Sequence, residues 1–112
     1  MPPPPGSGDP IQQLRDADAV VRREAARTLG AAKDKESVKD LSFVLEHDPS
    51  APVRRAAAEA LGMIGDKSAR NALERARGGD GDEAVRHAAI GALARLGFAT
   101  GEKPGILPTS KE

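Results

Sequence analysis

The chain has 112 residues, equal numbers of basic and acidic residues at 17 each, and no cysteine. This length predicts one domain, and the missing cysteine excludes disulfides and thiolate chemistry. The balanced charge disfavours a general attraction to nucleic acid or to an anionic membrane. No apolar run approaches the roughly 20 residues that cross a bilayer, and the N-terminus lacks a signal-peptide pattern. We therefore expect a cytoplasmic protein that has no contact with a membrane.

Residues 1–10, MPPPPGSGDP, are rich in proline and glycine and predict a disordered leader. Four consecutive prolines favour an extended helix that an SH3-type groove could bind. The run has no flanking arginine, which favours the interpretation as a leader.

Three similar helices then follow at a constant spacing. Val21, Val53 and Val85 are 32 residues apart, and alanine and leucine recur four and eight residues after each valine. This period gives each helix an apolar stripe. The stripe predicts helices at about 18–32, 50–64 and 82–96, which we call the B helices, with N-caps that form one column of the repeat: Asp18, Ser50 and Asp82.

Two further helices, the A helices, are predicted within residues 34–48 and 66–80, with Asp34 and Asp66 as their caps. Residues 9–16 match the last half of such a helix. The pattern ends after Gly97, so we assign residues 11–97 to the repeat domain and 98–112 to a flexible tail or end cap. Alternating A and B helices predict an all-α solenoid in which each repeat buries its apolar face against its neighbours.

The repeated motif resembles the HEAT repeat, and more narrowly the short form found in phycobilisome lyase subunits. The second copy carries the whole motif: Asp48, Val53, Arg54, Ala57, Leu61 and Gly62. In the third copy Ala94 replaces the glycine. The resemblance implies a right-handed α-solenoid of about three helical hairpins, with the B helices lining a concave surface that binds other macromolecules.

An arginine follows each B-helix valine, and an aspartate precedes each arginine by six residues. These residues are Arg22, Arg54 and Arg86, with Asp16, Asp48 and Asp80. We interpret the two columns as a structural ladder, in which each guanidinium pairs with an aspartate of its own turn or of the adjacent turn. The alternative interpretation is a row of phosphate-binding arginines.

Other charged residues project from the B helices on the side opposite the apolar stripe. They are Arg23, Arg27, Arg55, Glu59 and His87. We predict that they contact a partner peptide or helix, and the alternative is a solvated helix face.

The repeats also resemble those of deoxyhypusine hydroxylase, which bind metal through His-Glu pairs just after the Val-Arg position. The same positions in this sequence show whether a metal site is expected. The corresponding pairs here are Arg23-Glu24, Arg55-Ala56 and His87-Ala88, so no copy has both ligands. No serine or threonine accompanies a histidine base in a catalytic arrangement. We predict no enzyme activity, no metal and no cofactor.

The prediction is a non-catalytic module that binds a protein partner. One alternative is an accessory subunit resembling a phycobilisome lyase component, which would need a partner chain and a bilin. Another is a nucleic-acid-binding domain, which the zero net charge and the scarcity of stacking aromatic residues disfavour. The exposed ends of the repeat array also offer a surface for a homodimer.

Overall fold

The computed structural model describes residues 8–98, which form six α-helices and two short 3₁₀ turns. The helices are α1 (Pro10–Gln13), α2 (Ala19–Ala32), α3 (Val38–His47), α4 (Ala51–Ile64), α5 (Arg70–Gly79) and α6 (Glu83–Arg95), and the turns are Lys35–Ser37 and Lys67–Ala69. The B helices are α2, α4 and α6, and the A helices are α3, α5 and the single-turn α1. No strand occurs within this range, and the all-α solenoid is confirmed. Residues 1–7 of the predicted leader and 99–112 of the predicted tail lie outside the described residues.

The B helices begin at the predicted N-caps, but only two of the three caps make a side-chain bond. Asp18 accepts a hydrogen bond from the N–H of Val20, and Asp82 accepts one from the N–H of Val85. Ser50 makes no such bond. The position equivalent to Val20 is Pro52, which has no N–H to donate. The cap column therefore marks each helix start, although its bond is lost in the second repeat.

The core is built from the predicted apolar stripe. Leu61, Leu93, Val53 and Val85 are fully buried, together with the leucines of the A helices. Val21 is only half-buried, because the single turn of α1 covers less of α2 than a full A helix would. Each repeat thus depends on its neighbour for burial, as expected for a solenoid.

Adjacent B helices touch backbone to backbone at one glycine per interface. A Cβ added to Gly30 would lie 2.8 Å from the Cα of Ala60, and one added to Gly62 would lie 2.9 Å from the Cα of Ala92. Only glycine permits this approach, since any side chain would overlap the facing helix. The close contacts place α2, α4 and α6 side by side, so their outer faces form one continuous surface.

Phe98, the first residue of the predicted tail, contacts the core cluster. Its N–H donates to the carbonyl of Leu93 at 2.9 Å, and the guanidinium of Arg70 lies 4.5 Å from its ring centroid. The aromatic ring therefore connects the end of α6 to the start of α5.

Candidate partner-binding surface

The outer faces of α2 and α4 enclose a shallow hollow of about 220 Å³. The residues that line it are Arg23, Arg27, Pro52, Arg55, Ala56 and Glu59. Four of the five predicted partner-binding residues therefore lie together in this first hollow. The fifth, His87, is exposed on α6 and does not line it.

The cations of the first hollow are weakly paired. Arg55 Nε lies 3.1 Å from Glu59 Oε2, and Arg23 Nη2 lies 3.4 Å from Glu24 Oε2. Arg27 makes no ion pair with any of residues 8–98. Exposed pairs of this kind contribute about 0–1 kcal/mol, so a ligand carboxylate can displace them at little cost.

Arg23 carries an unsatisfied donor. Its Nε is buried and has no hydrogen-bond partner, the one such side-chain nitrogen or oxygen in the part of the chain that the structure describes. The side chain as a whole remains 39% exposed. An unmet buried donor costs about 1–3 kcal/mol. An acceptor that draws the guanidinium into the hollow would recover part of that cost.

A second hollow of about 370 Å³ lies beside the first, between α4 and α6. It is lined by Glu59, Met63, Ala88, Gly91, Ala92 and Arg95. Glu59 lines both hollows, so the two adjoin on the surface of the three B helices, and we call them together the groove. The sequence-based prediction missed Met63 and Arg95. Met63 follows the predicted Glu59 by one helical turn and Arg95 follows the predicted His87 by two, and this spacing would have identified them.

The arginine column joins consecutive repeats. Arg54 Nε and Nη2 donate to the carboxylate of Asp80 at 2.9 and 3.1 Å, while Nη1 donates to the backbone carbonyl of Asp48 at 2.8 Å. Arg22 binds the carboxylate of Asp48 and the carbonyl of Asp16 in the same way. The guanidinium groups of Arg22 and Arg54 thus contact the carboxylate of the adjacent turn and only the backbone of their own turn.

The column is incomplete at its two ends. Arg86 Nη1 donates to the carbonyl of Asp80 at 2.7 Å, but its guanidinium meets no carboxylate of residues 8–98. The side chain of Asp16 accepts a hydrogen bond from the N–H of Asp18 and pairs with no arginine in this range. Three arginines and three aspartates therefore form two ion pairs.

The ion pair with Arg54 lowers the pKa of Asp80. Burial by itself would raise the pKa of this carboxyl, but hydrogen bonds from Arg54 and from the N–H of Asp82 outweigh burial and hold its pKa below the ordinary value. The carboxylate is therefore retained at mildly acidic pH in the folded chain.

The lowered pKa of Asp80 predicts a loss of stability in acid. The unfolded chain takes up the proton first as the pH falls through about 4, so the free energy of unfolding decreases towards lower pH. We expect Asp80→Asn to be less stable than wild type at pH 7 and to converge with it towards pH 2. Urea unfolding across this range measures the effect, with Glu59→Gln as the control for loss of an exposed carboxylate. Parallel curves for wild type and Asp80→Asn would contradict it.

A larger hollow, about 750 Å³, lies elsewhere, beside α1 and α3. Phe43 opens into it with 65% of its surface exposed, and the Phe43 and His47 rings lie 4.5 Å apart. Its Arg22 is held by Asp48 in the arginine column, and its exposed Arg15 lies 3.7 Å from Asp40. The hollow contains none of the predicted partner-binding residues. We place the candidate site on the B helices, where three of those residues are arginines that line one hollow.

No group of three or more histidine, aspartate or glutamate side chains within residues 8–98 could hold a metal ion. None of the six helices in this range is long and apolar enough to span a membrane.

Comparison with known proteins agrees with the repeat geometry. The family model of HEAT repeats matches residues 9–94. No curated protein matches the chain. HEAT repeats generally mediate protein–protein interactions, and proteins of this kind are typically non-catalytic scaffolds. With a match over most of its length and helical hairpins stacked at a 32-residue spacing, the chain belongs to the HEAT repeat family.

Proposed function

We propose that the chain is a protein-interaction module whose B-helix groove binds an acidic peptide or helix of a partner. The observation that carries this proposal is the convergence of Arg23, Arg27 and Arg55 on one hollow. Guanidinium groups bind carboxylates through two parallel hydrogen bonds, which gives both attraction and orientation. The whole chain has no net charge, so attraction to a carboxylate-bearing ligand requires a local cluster of cations such as this one.

The proposal includes the absence of catalysis, which the typical role of the family supports. The finer resemblance to phycobilisome lyase repeats stays a prediction. Nucleic acid is disfavoured as the partner, because single strands are held by stacking on aromatic side chains and the first hollow contains none. A protein segment with carboxylates is the ligand that fits three arginines without aromatic neighbours.

Reversing the groove charge is expected to abolish partner binding. The variant replaces Arg23, Arg27 and Arg55 with glutamate, and affinity capture from a nuclease-treated cell extract compares the retained proteins with those of wild type. Loss of three cations should weaken binding to an acidic segment by at least about tenfold, since each close charge pair contributes more than 1 kcal/mol when it is desolvated.

The matched control replaces three exposed cations outside the groove, Arg15, Lys35 and Lys39, with glutamate, which gives the same change of net charge. It should retain the partners that wild type retains. Circular dichroism at increasing temperature checks that both variants fold. Identical capture by wild type and the groove variant would refute the proposal.

A further inference from the structure

The groove is chemically divided, and this division specifies its ligand. Resting on the proposed function, we infer that the partner segment carries carboxylates at one end and one large apolar side chain at the other. The carboxylates meet Arg23 and Arg27, and the apolar side chain enters the second hollow beside Gly91. The partner is therefore a linear acidic segment with a single apolar anchor, bound in one direction.

The first half of the groove requires the acidic end. Arg27 has no ion pair with any described residue, and Arg23 has a buried Nε without an acceptor. Both side chains line the first hollow and are one turn apart on α2, about 6 Å along the helix axis. Two carboxylates, or one carboxylate held between the guanidinium groups, would satisfy them.

The second half of the groove accepts an apolar group. A Cβ added to Gly91 would find no heavy atom within 4 Å among the described residues, apart from its chain neighbours and the backbone of α6 itself, so the surface of α6 is open there. Met63 lies at the same hollow with 37% of its surface exposed. Its flexible thioether adapts to different apolar shapes, a property typical of binding surfaces.

Glu59 determines the direction of binding. It lies between the two hollows and is paired with Arg55 at 3.1 Å, so this arginine is partly neutralised. Its carboxylate repels a partner carboxylate on the α4 side of the first hollow, which confines the acidic end to Arg23 and Arg27 on α2. Arg95 also lines the second hollow from α6, where the Cδ of its side-chain stem lies against α4 beside Gly62.

The spacing of the B helices fixes the spacing within the ligand. Packed helix axes are about 8–10 Å apart, so the two hollows, each of which lies between neighbouring B helices, are also about 8–10 Å apart. That distance corresponds to about 5–7 residues of a helical ligand, at 1.5 Å per residue. An extended ligand would need only about 3 residues. The distance between acidic and apolar residues therefore reports the conformation of the bound segment.

Selection from a random peptide library on the immobilised full chain tests the inference. Peptides enriched on wild type should share acidic residues and one large apolar residue at one of these two spacings. Their affinities, measured by fluorescence anisotropy, are compared with those for three variants. Gly91→Leu fills the second hollow, Gly91→Ala is its control, and the double change Arg23→Glu and Arg27→Glu removes the acidic site.

We expect Gly91→Leu to weaken binding at least about tenfold and Gly91→Ala to weaken it far less, because a methyl group leaves most of the hollow open. Acidic peptides without an apolar requirement, and with full affinity for Gly91→Leu, would overturn this inference but leave the proposed function standing. Peptides that bind the doubly charge-reversed variant as tightly as wild type would overturn both. A wild-type selection without enriched sequences would also overturn the inference.

Discussion

Removing the charge of Arg54 is expected to lower the free energy of unfolding by about 2–3 kcal/mol. Arg54→Met keeps the packing of the side-chain stem but leaves the carboxylate of Asp80 without its partner, with only 8% of that side chain exposed. Removing one member of a fully buried pair costs about 3–5 kcal/mol, and the 18% exposure of Arg54 reduces that cost here. Urea unfolding followed by circular dichroism measures the change.

A double-mutant cycle with Asp80→Asn separates the ion pair from other effects. The asparagine keeps an oxygen for the N–H of Asp82, which Asp80 bonds at 2.9 Å, and removes only the charge. We expect a coupling energy of about 1–2 kcal/mol between the two changes. Changes that add to within about 0.5 kcal/mol would show that the pair contributes nothing.

Arg86→Met provides a matched control for Arg54→Met. Arg86 makes the same hydrogen bond to a backbone carbonyl of its own turn, but meets no carboxylate of residues 8–98. It should therefore cost clearly less stability than Arg54→Met. Equal costs would assign the effect to the backbone hydrogen bond and the side-chain stem, and would remove the ion pair from the explanation.

The sequence predicted the repeat, the helices and the starting points of the B helices because these depend on local patterns. Asp34 and Asp66, predicted as caps of the A helices, instead cap the 3₁₀ turns that precede α3 and α5. A period of 32 residues and an apolar residue at every fourth position are visible without any knowledge of packing. The carboxylate partner of each arginine could not be predicted in this way, because it depends on contacts between repeats. Asp48 is six residues from Arg54 and 26 from Arg22, and only the stacking of the repeats brings the carboxylate to Arg22.

The residues of the groove could be predicted in part, because helical periodicity shows which side chains share one face of a helix. Projection of α2 and α4 along their axes identifies Arg23, Arg27 and Arg55, since each helix presents one face. The depth of the hollows depends on the distance between neighbouring helices, which helical periodicity does not give. The hollow beside Phe43 was missed because it arises from the short α1. One signal was available in the repeat alignment. Phe43 occupies the column that holds Arg75 in the following repeat, and the Arg75 guanidinium pairs with Glu46 of the preceding repeat at 2.6 Å.

The requirement for glycine in the repeated Leu-Gly motif also comes from helix packing and is not visible in the sequence alone. Gly30 and Gly62 lie where the next B helix touches the backbone, while the equivalent Ala94 in α6 is exposed. No further B helix follows α6 within the described residues, so nothing there requires glycine. The departure of the third copy from the motif is thus consistent with the contact that the first two copies make.

This contact leads to opposite expectations for two glycines in neighbouring B helices. Alanine is preferred over glycine inside a helix by about 1 kcal/mol, and this gain is common to Gly62→Ala and Gly91→Ala. At Gly91 the new methyl group meets open space, so the variant should be more stable by about 0.5–1 kcal/mol. At Gly62 it would lie 2.9 Å from the Cα of Ala92 and 3.0 Å from its Cβ. The overlap forces α4 and α6 apart, and the variant should lose about 1–3 kcal/mol.

Urea unfolding of the two alanine variants measures this difference directly, because helix propensity cancels between them. Ala92→Gly should partly rescue Gly62→Ala, since it removes the facing Cβ but leaves the Cα in place. Equal stabilities of Gly62→Ala and Gly91→Ala would mean that α4 and α6 can separate without cost. In that case the continuous B-helix surface would not be held rigid by this contact, and the groove that crosses it would have no fixed spacing to impose on a ligand.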